Sequence, residues 1–283
     1  MKVRVETGVQ YPEVLSEFRV EHISREWAKY LVPDPYVYIP LDKFPRLKII
    51  STPSTGTNHI DLVECNKRGI KVLSLLDDRK GLETIQASSE FAFFMILAGL
   101  RMGGWRQWKT YTHDSKHMLG RELYGKKVGI LGFGRIGQNV AKWLTHFGAE
   151  WRSCDLGSDK DTVMGMFEWS DIVLISCSLN DKTRGMITEE YLSRLGRDTI
   201  LVNVARAEII DEDALINWAK KGGLYVSDVI HGEVKNEHLD SPLLFFPNVI
   251  IFPHIGGHTV ESNEKALRIA LGLLRKEIDG KNM

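Results

Sequence analysis

Apolar and β-branched runs alternate with helical patterns over the second half of the chain. Six short runs are bounded by polar residues or glycine: 127–132, 150–155, 171–177, 199–204, 224–229 and 248–253. Between most of them, apolar residues recur at helical spacing, as in 136–147 and 211–222. Such alternation predicts right-handed crossovers and a doubly wound, six-stranded parallel sheet. The run 150–155 is a poor strand by composition, and we assign it by its position in the series.

The first third of the chain predicts a second, smaller α/β unit. The runs 46–51 and 69–75 have the composition of strands, with a helical pattern between them. We interpret residues 75–87 as a long loop. The segment 261–280 is an amphipathic helix with Gly280 as its stop signal, and we expect it to pack back on this first unit. The predicted domains are therefore 1–103, completed by the terminal helix in 259–283, and 104–258.

Composition and charge narrow the classes of partner. Lys plus Arg and Asp plus Glu number 37 each, so the formal net charge is +0, and no basic field exists to attract nucleic acid or anionic lipid. The longest apolar block, 91–100, is too short to span a bilayer. Cys65, Cys154 and Cys177 show no CxxC spacing, which argues against a disulfide framework or a zinc knuckle. We expect a cytoplasmic protein with a small-molecule partner.

A glycine loop follows the first strand of the six. Gly132, Gly134 and Gly137 form GxGxxG and open a helix, where backbone can approach a pyrophosphate and the helix N-terminus supplies free N–H groups. Asp155 ends the next strand, at the position expected for an acid that binds ribose hydroxyls. Because that carboxylate would repel a 2′-phosphate, the pattern predicts NAD as the cofactor in preference to NADP.

Three further residues follow three strands of the same sheet. Arg206 comes after the fourth strand, Glu233 after the fifth and His254 after the sixth, so they should gather at the edge that carries the glycine loop. A histidine can protonate the oxygen left when hydride reaches a ketone carbon. A carboxylate beside it would fix its tautomer and favour its protonated form, and an arginine would bind a substrate carboxylate. The set predicts a dehydrogenase of 2-hydroxy acids.

Alternative roles exist for each histidine and for the motif residues taken singly. His254 could be structural, Arg206 could pair with a structural acid, and His258 could compete with His254 for the acid role. His113 and His117 stand at i, i+4, a spacing that can hold a metal ion, but no third ligand is apparent nearby, and we predict no metal site.

Four ordered motifs carry a resemblance to a known family: "GKKVGILGFGRIGQNVA" (125–141), "LVNVARAEIIDEDAL" (201–215), "SDVIHGE" (227–233) and "PHIGGHT" (253–259). From about residue 46 to the C-terminus, the chain resembles the D-isomer-specific 2-hydroxyacid dehydrogenases. The resemblance implies a Rossmann coenzyme domain, a smaller flavodoxin-like substrate domain, an active cleft between them that closes by hinge motion, and a homodimer formed through the coenzyme domain.

The same resemblance implies roles for individual residues. Arg206 would bind and orient the substrate, Glu233 would support the histidine, and His254 would be the acid/base. The backbone at Thr55, Gly56 and Thr57 would hold the substrate carboxylate. The remaining residues would contact NAD: Arg135 and Ile136 at the pyrophosphate, Ser178 and Thr183 near the adenosine, Asp228 near the nicotinamide carboxamide, and Val204, Ala205, Gly256 and Gly257 elsewhere along the cofactor.

Some positions depart from the family pattern. Ala207 stands where a glycine usually follows the active arginine, and Ser178 and Val234 stand where prolines are usual. The leading hypothesis is NAD-dependent interconversion of a small 2-oxo acid and its D-2-hydroxy acid. Two alternatives stay open: an NAD(H)-responsive binding protein such as the corepressors of this fold, and an enzyme that oxidises formate or an oxyanion.

Overall fold

The structure is a computed structural model. It describes residues 1–8, 11–101, 119–155, 157–233 and 241–280. The described chain divides into two compact units, the first holding 1–86 and 258–280 and the second holding most of 87–257. The predicted domain boundary between residues 103 and 104 lies outside the described residues, as do His113, His117 and Val234.

The first unit contains a five-stranded parallel sheet. Its strands are β1 (Lys2–Val5), β2 (Glu21–His22), β3 (Tyr30–Val32), β4 (Ile49–Ser51) and β5 (Lys71–Leu73), in the order β2-β1-β3-β4-β5. This order is that of flavodoxin-like sheets, so the predicted fold class of the smaller domain is confirmed. The hydrophobic pattern predicted only β4 and β5, and the strands β1, β2 and β3 were not predicted.

The helices of the first unit are α1 (Pro12–Glu17), α2 (Leu62–Lys67), α3 (Arg79–Glu83) and α9 (Val260–Asp279). Helix α9 begins at a Thr259 cap whose side chain accepts from the Ser262 N–H. Its buried residues Leu267, Leu271 and Leu274 recur at helical spacing and pack with strand residues such as Ile49. The terminal helix is therefore part of the core of this unit.

Most of the segment 75–87 is helical, and its interpretation as a long loop was wrong. A single 3-10 turn covers Leu75–Asp77, and α3 follows directly. Each begins at a capping side chain, Ser74 for the turn and Asp78 for the helix, and these caps satisfy N–H groups that a short helix leaves open. Local capping therefore organised a segment that lacks a long periodic pattern.

The second unit contains a six-stranded parallel sheet, as predicted. Its strands are β6 (Lys127–Leu131), β7 (Glu150–Cys154), β8 (Ile172–Ile175), β9 (Ile200–Asn203), β10 (Leu224–Ser227) and β11 (Val249–Ile251), in the order β11-β10-β9-β8-β6-β7. Strand β7 lies at the edge and pairs with β6 alone. An edge position explains why Arg152 and Ser153 are tolerated in it, because their side chains are exposed.

Helices cover both faces of this sheet. They are α4 (Ala87–Arg101), α5 (Arg135–His146), α6 (Lys160–Trp169), α7 (Glu189–Leu192) and α8 (Glu212–Lys220). Helices α4 and α5 pack on the face that carries Ile130 and Val202, whereas α6, α7 and α8 pack on the face that carries Leu201 and Val173. Helix α4 thus belongs to the second unit, although it lies within the range 1–103 predicted for the first domain. Every helix of the described residues is too short or too polar to cross a membrane.

Candidate active site

The glycine loop joins β6 to α5 as predicted, and its three glycines meet different constraints. Gly132 has φ +95°, and a Cβ added there would lie 2.4 Å from the Cys177 backbone nitrogen. A Cβ on Gly137 would lie 2.4 Å from the Gly132 carbonyl oxygen. Gly134 faces open space and is the N-cap of α5, with no side-chain cap bond. Gly132 and Gly137 are therefore required for packing, and Gly134 leaves room for a ligand to approach the backbone.

The N-terminus of α5 has the features of an anion site. Arg135 and Ile136, predicted to contact the pyrophosphate, are the first two residues of this 12-residue helix, and both are half-buried. Burial lowers the pKa of Arg135, as expected for a guanidinium withdrawn from water. Free N–H groups, the helix dipole and this cation together suit a pyrophosphate.

A cavity of about 260 Å³ lies beside the loop, within the second unit. Gly132, Asp155 and Thr183 line it, so three residues predicted for the cofactor are brought together there. The Thr183 hydroxyl is fully buried and donates to the Ser178 carbonyl at 2.8 Å, while Ser178 itself is exposed. An exposed carboxylate at the rim of a cavity this size fits a ribose with its adenine. The residues present therefore fit NAD.

The turn after β9 carries Val204, Ala205 and Arg206, and the Asn203 side chain holds it. Asn203 Oδ1 accepts from the Ala205 N–H at 2.9 Å, and Asn203 Nδ2 donates to the Arg206 carbonyl at 3.0 Å. The half-buried Arg206 guanidinium donates from Nη1 to the Ala205 carbonyl at 2.7 Å. One amide side chain thus fixes both ends of the turn that presents the arginine.

Asp228 fixes the segment that follows the sixth strand. Its carboxylate accepts from the Ile255 N–H at 2.8 Å and from the Gly256 N–H at 2.7 Å. A Cβ on Gly256 would lie 2.7 Å from Asp228 Oδ2, so the contact requires glycine there; the neighbouring Gly257 is half-buried. Burial raises the pKa of Asp228 to about 6, and the two N–H donors offset that effect only in part.

His254 and Glu233 are in direct contact. His254 Nδ1 lies 2.7 Å from Glu233 Oε1, and both side chains are partly buried. His254 has φ +55°, a left-handed backbone conformation that costs a residue with a Cβ about 1 kcal/mol. The bonds from Asp228 to the next two residues hold the chain in that conformation. Arg206, Glu233 and His254 therefore follow three neighbouring strands, β9, β10 and β11, at one edge of the sheet.

The alternative acid/base residue, His258, has different neighbours from His254. His258 belongs to the first unit, is exposed, and has its Nδ1 3.2 Å from Asn263 Nδ2. Its ring lies edge-on to Tyr36, with the centroids 5.6 Å apart. It is His254 that has a carboxylate partner at hydrogen-bonding distance.

The first unit carries the predicted carboxylate loop after β4. Thr55 is exposed, and Gly56 and Thr57 are half-buried. The Gly56 N–H donates to Ser54 Oγ at 3.0 Å, so a substrate carboxylate would have to share or replace that hydroxyl. Behind the loop, Thr52 and His59 are buried and hydrogen-bonded to each other at 2.9 Å.

A small cavity of about 50 Å³ adjoins this loop within the first unit. Its lining includes residues that follow β1, β3 and β4, among them Thr7, Asp34 and Pro53. The phenols of Tyr11 and Tyr36 also line it. The described lining residues include one acidic residue, Asp34, and one histidine, His258, but neither lysine nor arginine.

Sequence reasoning missed three residues that support the site: Asn203, Tyr225 and Ser227. They lie on two adjacent strands, buried, and are hydrogen-bonded to one another. The signal available in the sequence was a polar side chain inside an otherwise apolar run, at the last position of "ILVN" and of "LYVS". A buried polar group of this kind needs a partner, and the partner is visible only in the fold.

Comparison with known proteins agrees with this geometry. The family model described as D-isomer specific 2-hydroxyacid dehydrogenase, NAD binding domain, matches residues 93–256. The match defines the class as an NAD-binding oxidoreductase. The chain belongs to the D-isomer-specific 2-hydroxyacid dehydrogenase family.

Three similar proteins illustrate the relationship. A glyoxylate reductase of Thermofilum pendens is 33% identical over 252 residues, which cover 81% of this chain and 71% of that protein. A hydroxypyruvate reductase of Thermotoga maritima is 28% identical, with 92% and 89% covered. The crystal structure of D-lactate dehydrogenase from Aquifex aeolicus, complexed with NAD and lactic acid, is 25% identical, with 99% and 96% covered and a TM-score of 0.79.

Proposed function

We propose that the protein reduces a small 2-oxo acid to its D-2-hydroxy acid with NADH. The observation that carries the proposal is the 2.7 Å contact between His254 Nδ1 and Glu233 Oε1, at the sheet edge that also presents Arg206. An imidazole oriented by a carboxylate is the arrangement that proton transfer to a developing alkoxide needs.

The cofactor would be held by residues of the second unit. The loop from Gly132 to Gly137 and the N-terminus of α5 would bind the pyrophosphate, and Asp155 would accept hydrogen bonds from the ribose hydroxyls. When bound, NADH supplies the hydride that reaches the carbonyl carbon. A 2′-phosphate at Asp155 would meet a negative charge, which supports NAD over NADP.

The chain's own residues would supply the proton and the orientation. When both ring nitrogens carry a proton, His254 donates Nδ1–H to Glu233 and presents Nε2–H to the carbonyl oxygen as the new C–H bond forms. The proton leaves Nε2, the oxygen becomes a hydroxyl, and His254 is left neutral; oxidation reverses these steps. Arg206 would bind the carboxylate of the acid through its planar fork and stabilise charge on the neighbouring oxygen.

Short, uncharged substrate side chains suit the first unit. The cavity beside the carboxylate loop contains the Asp34 carboxylate and is small, so a second anionic group such as a phosphate would be repelled and crowded. The similar proteins that reduce glyoxylate and hydroxypyruvate support the same class. We therefore place glyoxylate and hydroxypyruvate first among candidate substrates. A cytoplasmic homodimer formed through the coenzyme domain stays part of this proposal on family resemblance.

The test is NADH oxidation, followed at 340 nm, against glyoxylate, hydroxypyruvate, pyruvate and phosphohydroxypyruvate. Formate and phosphite with NAD serve as separate arms. His254→Ala should lose about 10²–10⁴-fold in kcat while still binding NADH, because it removes the proton donor. His146→Ala, an exposed histidine at the end of α5, is the matched control and should keep parental activity.

Several outcomes would contradict the proposal. Tight NADH binding with no turnover of any 2-oxo acid would favour a binding protein. Turnover of formate or phosphite alone would replace the substrate class. Full activity in His254→Ala together with loss in His258→Ala would move the acid/base role to the other histidine.

A further inference from the structure

Two adjacent strands bury polar side chains that the chemistry above does not use. Tyr225 and Ser227 lie on β10, and Asn203 ends β9; in the register of the two strands Ser227 is opposite Asn203. Tyr225 is 1% exposed, and Asn203 and Ser227 are fully buried. All three point to the face that also buries Leu201 and packs against α8. An apolar residue would fill the tyrosine position on this face without any need for a partner.

The hydrogen bonds among them run in one direction. Asn203 Nδ2 donates to Tyr225 Oη at 3.3 Å, and Tyr225 Oη donates to Ser227 Oγ at 3.0 Å. The Ser227 hydroxyl in turn donates to the Val229 carbonyl at 2.8 Å. The amide orientation of Asn203 is fixed independently, since its oxygen meets the Ala205 N–H and its nitrogen meets the Arg206 carbonyl. Because the Asn203 amide nitrogen can only donate to Tyr225, the single proton of the phenol goes to Ser227. The serine proton has two acceptors within reach, the Val229 carbonyl at 2.8 Å and the Asn203 carbonyl at 3.4 Å, and the shorter contact is to Val229.

Both ends of this hydrogen-bond chain reach the candidate active site. At one end, Asn203 closes the turn that presents Arg206. At the other end, Ser227 Oγ both donates to the Val229 carbonyl and accepts from the Val229 N–H at 3.1 Å. The next residue, Ile230, donates its N–H to Glu233 Oε2 at 3.2 Å, and the other oxygen of Glu233 contacts His254.

The phenol is well suited to a fixed link. Burial raises the pKa of Tyr225 to about 12, so the hydroxyl keeps its proton throughout the range in which the enzyme would work. Buried polar groups stabilise a unique arrangement only when every member is paired, and here each hydroxyl both donates and accepts. The link therefore holds two turns from neighbouring strands at a constant separation.

We propose that Tyr225 is a positioning residue, which sets the spacing between Arg206 and the Glu233–His254 pair through Asn203 and Ser227. The inference rests on the proposed function of those three residues. Its consequence is that substrate orientation depends on a hydroxyl that touches neither substrate nor cofactor. Loss of that hydroxyl should affect the carboxylate-binding arginine and the acid/base pair together.

The experiment compares Tyr225→Phe with Thr199→Val. Each removes one buried hydroxyl from the second unit. The Tyr225 hydroxyl accepts from Asn203 and donates to Ser227, the last residues of β9 and β10, whereas Thr199 precedes β9 and its Oγ1 donates to the Ser170 carbonyl at 3.2 Å. Thr199→Val should lower Tm by roughly 2–4 °C and Tyr225→Phe by up to about twice as much, because the threonine hydroxyl makes one buried hydrogen bond and the tyrosine hydroxyl makes two. Tyr225→Phe alone should lower kcat/KM for the 2-oxo acid about tenfold, and it should weaken binding of oxamate to the NADH complex by a similar factor.

The Kd of NADH should be unchanged in both variants. A further variant, Ser227→Ala, should give a loss of kcat/KM that is not additive with that of Tyr225→Phe, since both interrupt the same chain.

The outcomes separate this inference from the proposed function. If the unmodified chain turns over a 2-oxo acid and Tyr225→Phe matches Thr199→Val in kcat/KM and in oxamate affinity, the network is structural only and the inference fails alone. If the unmodified chain reduces no 2-oxo acid, the proposed function is wrong, and the inference about Tyr225, which rests on it, is wrong as well. If Tyr225→Phe does not fold, the Ser227→Ala variant applies the same comparison of kcat/KM against Thr199→Val.

Discussion

The carboxyl ends of the two parallel sheets differ in how their side chains are held. After β9, β10 and β11 of the second unit, buried side chains hold the backbone: Asn203 holds the Arg206 turn, and Asp228 holds the residues after His254. After β1, β3 and β4 of the first unit, one buried pair, Thr52 and His59, lies behind the loop that follows β4, and the residues around the small cavity are mostly half-buried or exposed. Both edges are where ligands of such sheets bind.

The difference corresponds to two tasks. Proton and hydride transfer require groups fixed to within a fraction of an ångström, and rigid second contacts supply that. Choice of substrate needs size and charge, which loop residues such as Asp34 can provide and vary without disturbing the chemistry. We expect substitutions at the sheet edge of the first unit to change which acid is used. Substitutions at the sheet edge of the second unit should change the rate with every acid.

After His254→Ala, the largest effect should come from Arg206→Lys. Lysine keeps the charge but lacks the planar fork, so kcat/KM should fall about 10²-fold for each 2-oxo acid accepted. Steady-state kinetics with at least two acids would measure it. Arg197→Lys, an exposed arginine at the opposite end of the strands, is the control and should match the parent. A loss confined to one acid would show that Arg206 selects substrates instead.

A pH-dependent stability difference should appear with Asp228→Asn. The pKa of Asp228 is raised to about 6 in the folded chain, from an ordinary value of 3.8, so ionisation of this carboxyl group costs folding stability. As pH rises from 4 to 6, the parent should lose up to about 3 kcal/mol relative to the non-titrating variant, with no further change above pH 6. Denaturant unfolding at several pH values measures this. If the difference in free energy of unfolding between parent and variant did not depend on pH, the pKa of Asp228 would not be raised in the folded chain.

The smallest effect should come from Asp34→Asn in the first unit. Removing this partly exposed charge should lower KM for phosphohydroxypyruvate about threefold, since a single exposed charge interaction contributes 1 kcal/mol or less. KM for glyoxylate should stay within experimental error. Asp42→Asn, an exposed aspartate of the same unit, controls for net charge. Equal KM changes for both acids in Asp34→Asn would remove this residue from substrate selection.

The two sheets also differed in how well their strands could be predicted. Five of the six strands of the second sheet appeared as apolar runs because a parallel sheet covered by helices on both faces needs nearly continuous apolar strands, whereas the edge strand β7 was assigned by its position in the series. In the first sheet, β2 has only two residues and β1 carries Lys2 and Arg4, so neither strand appears as an apolar run in the sequence. Segment 75–87 was misread because its helix depends on the Ser74 and Asp78 caps instead of on a long period.

The sequence by itself determined the order of strands and helices in the second unit, the glycine loop with its acid, and the three residues, Arg206, Glu233 and His254, that follow β9, β10 and β11. Those features are local, since they follow from periodicity, backbone freedom and the rule that parallel strands share a carboxyl edge. Only the tertiary structure decided that Glu233 contacts His254 and that Asn203, Tyr225 and Ser227 form one hydrogen-bond chain. Such partners are distant along the chain, and they become neighbours through the order and register of the strands, which no single segment specifies.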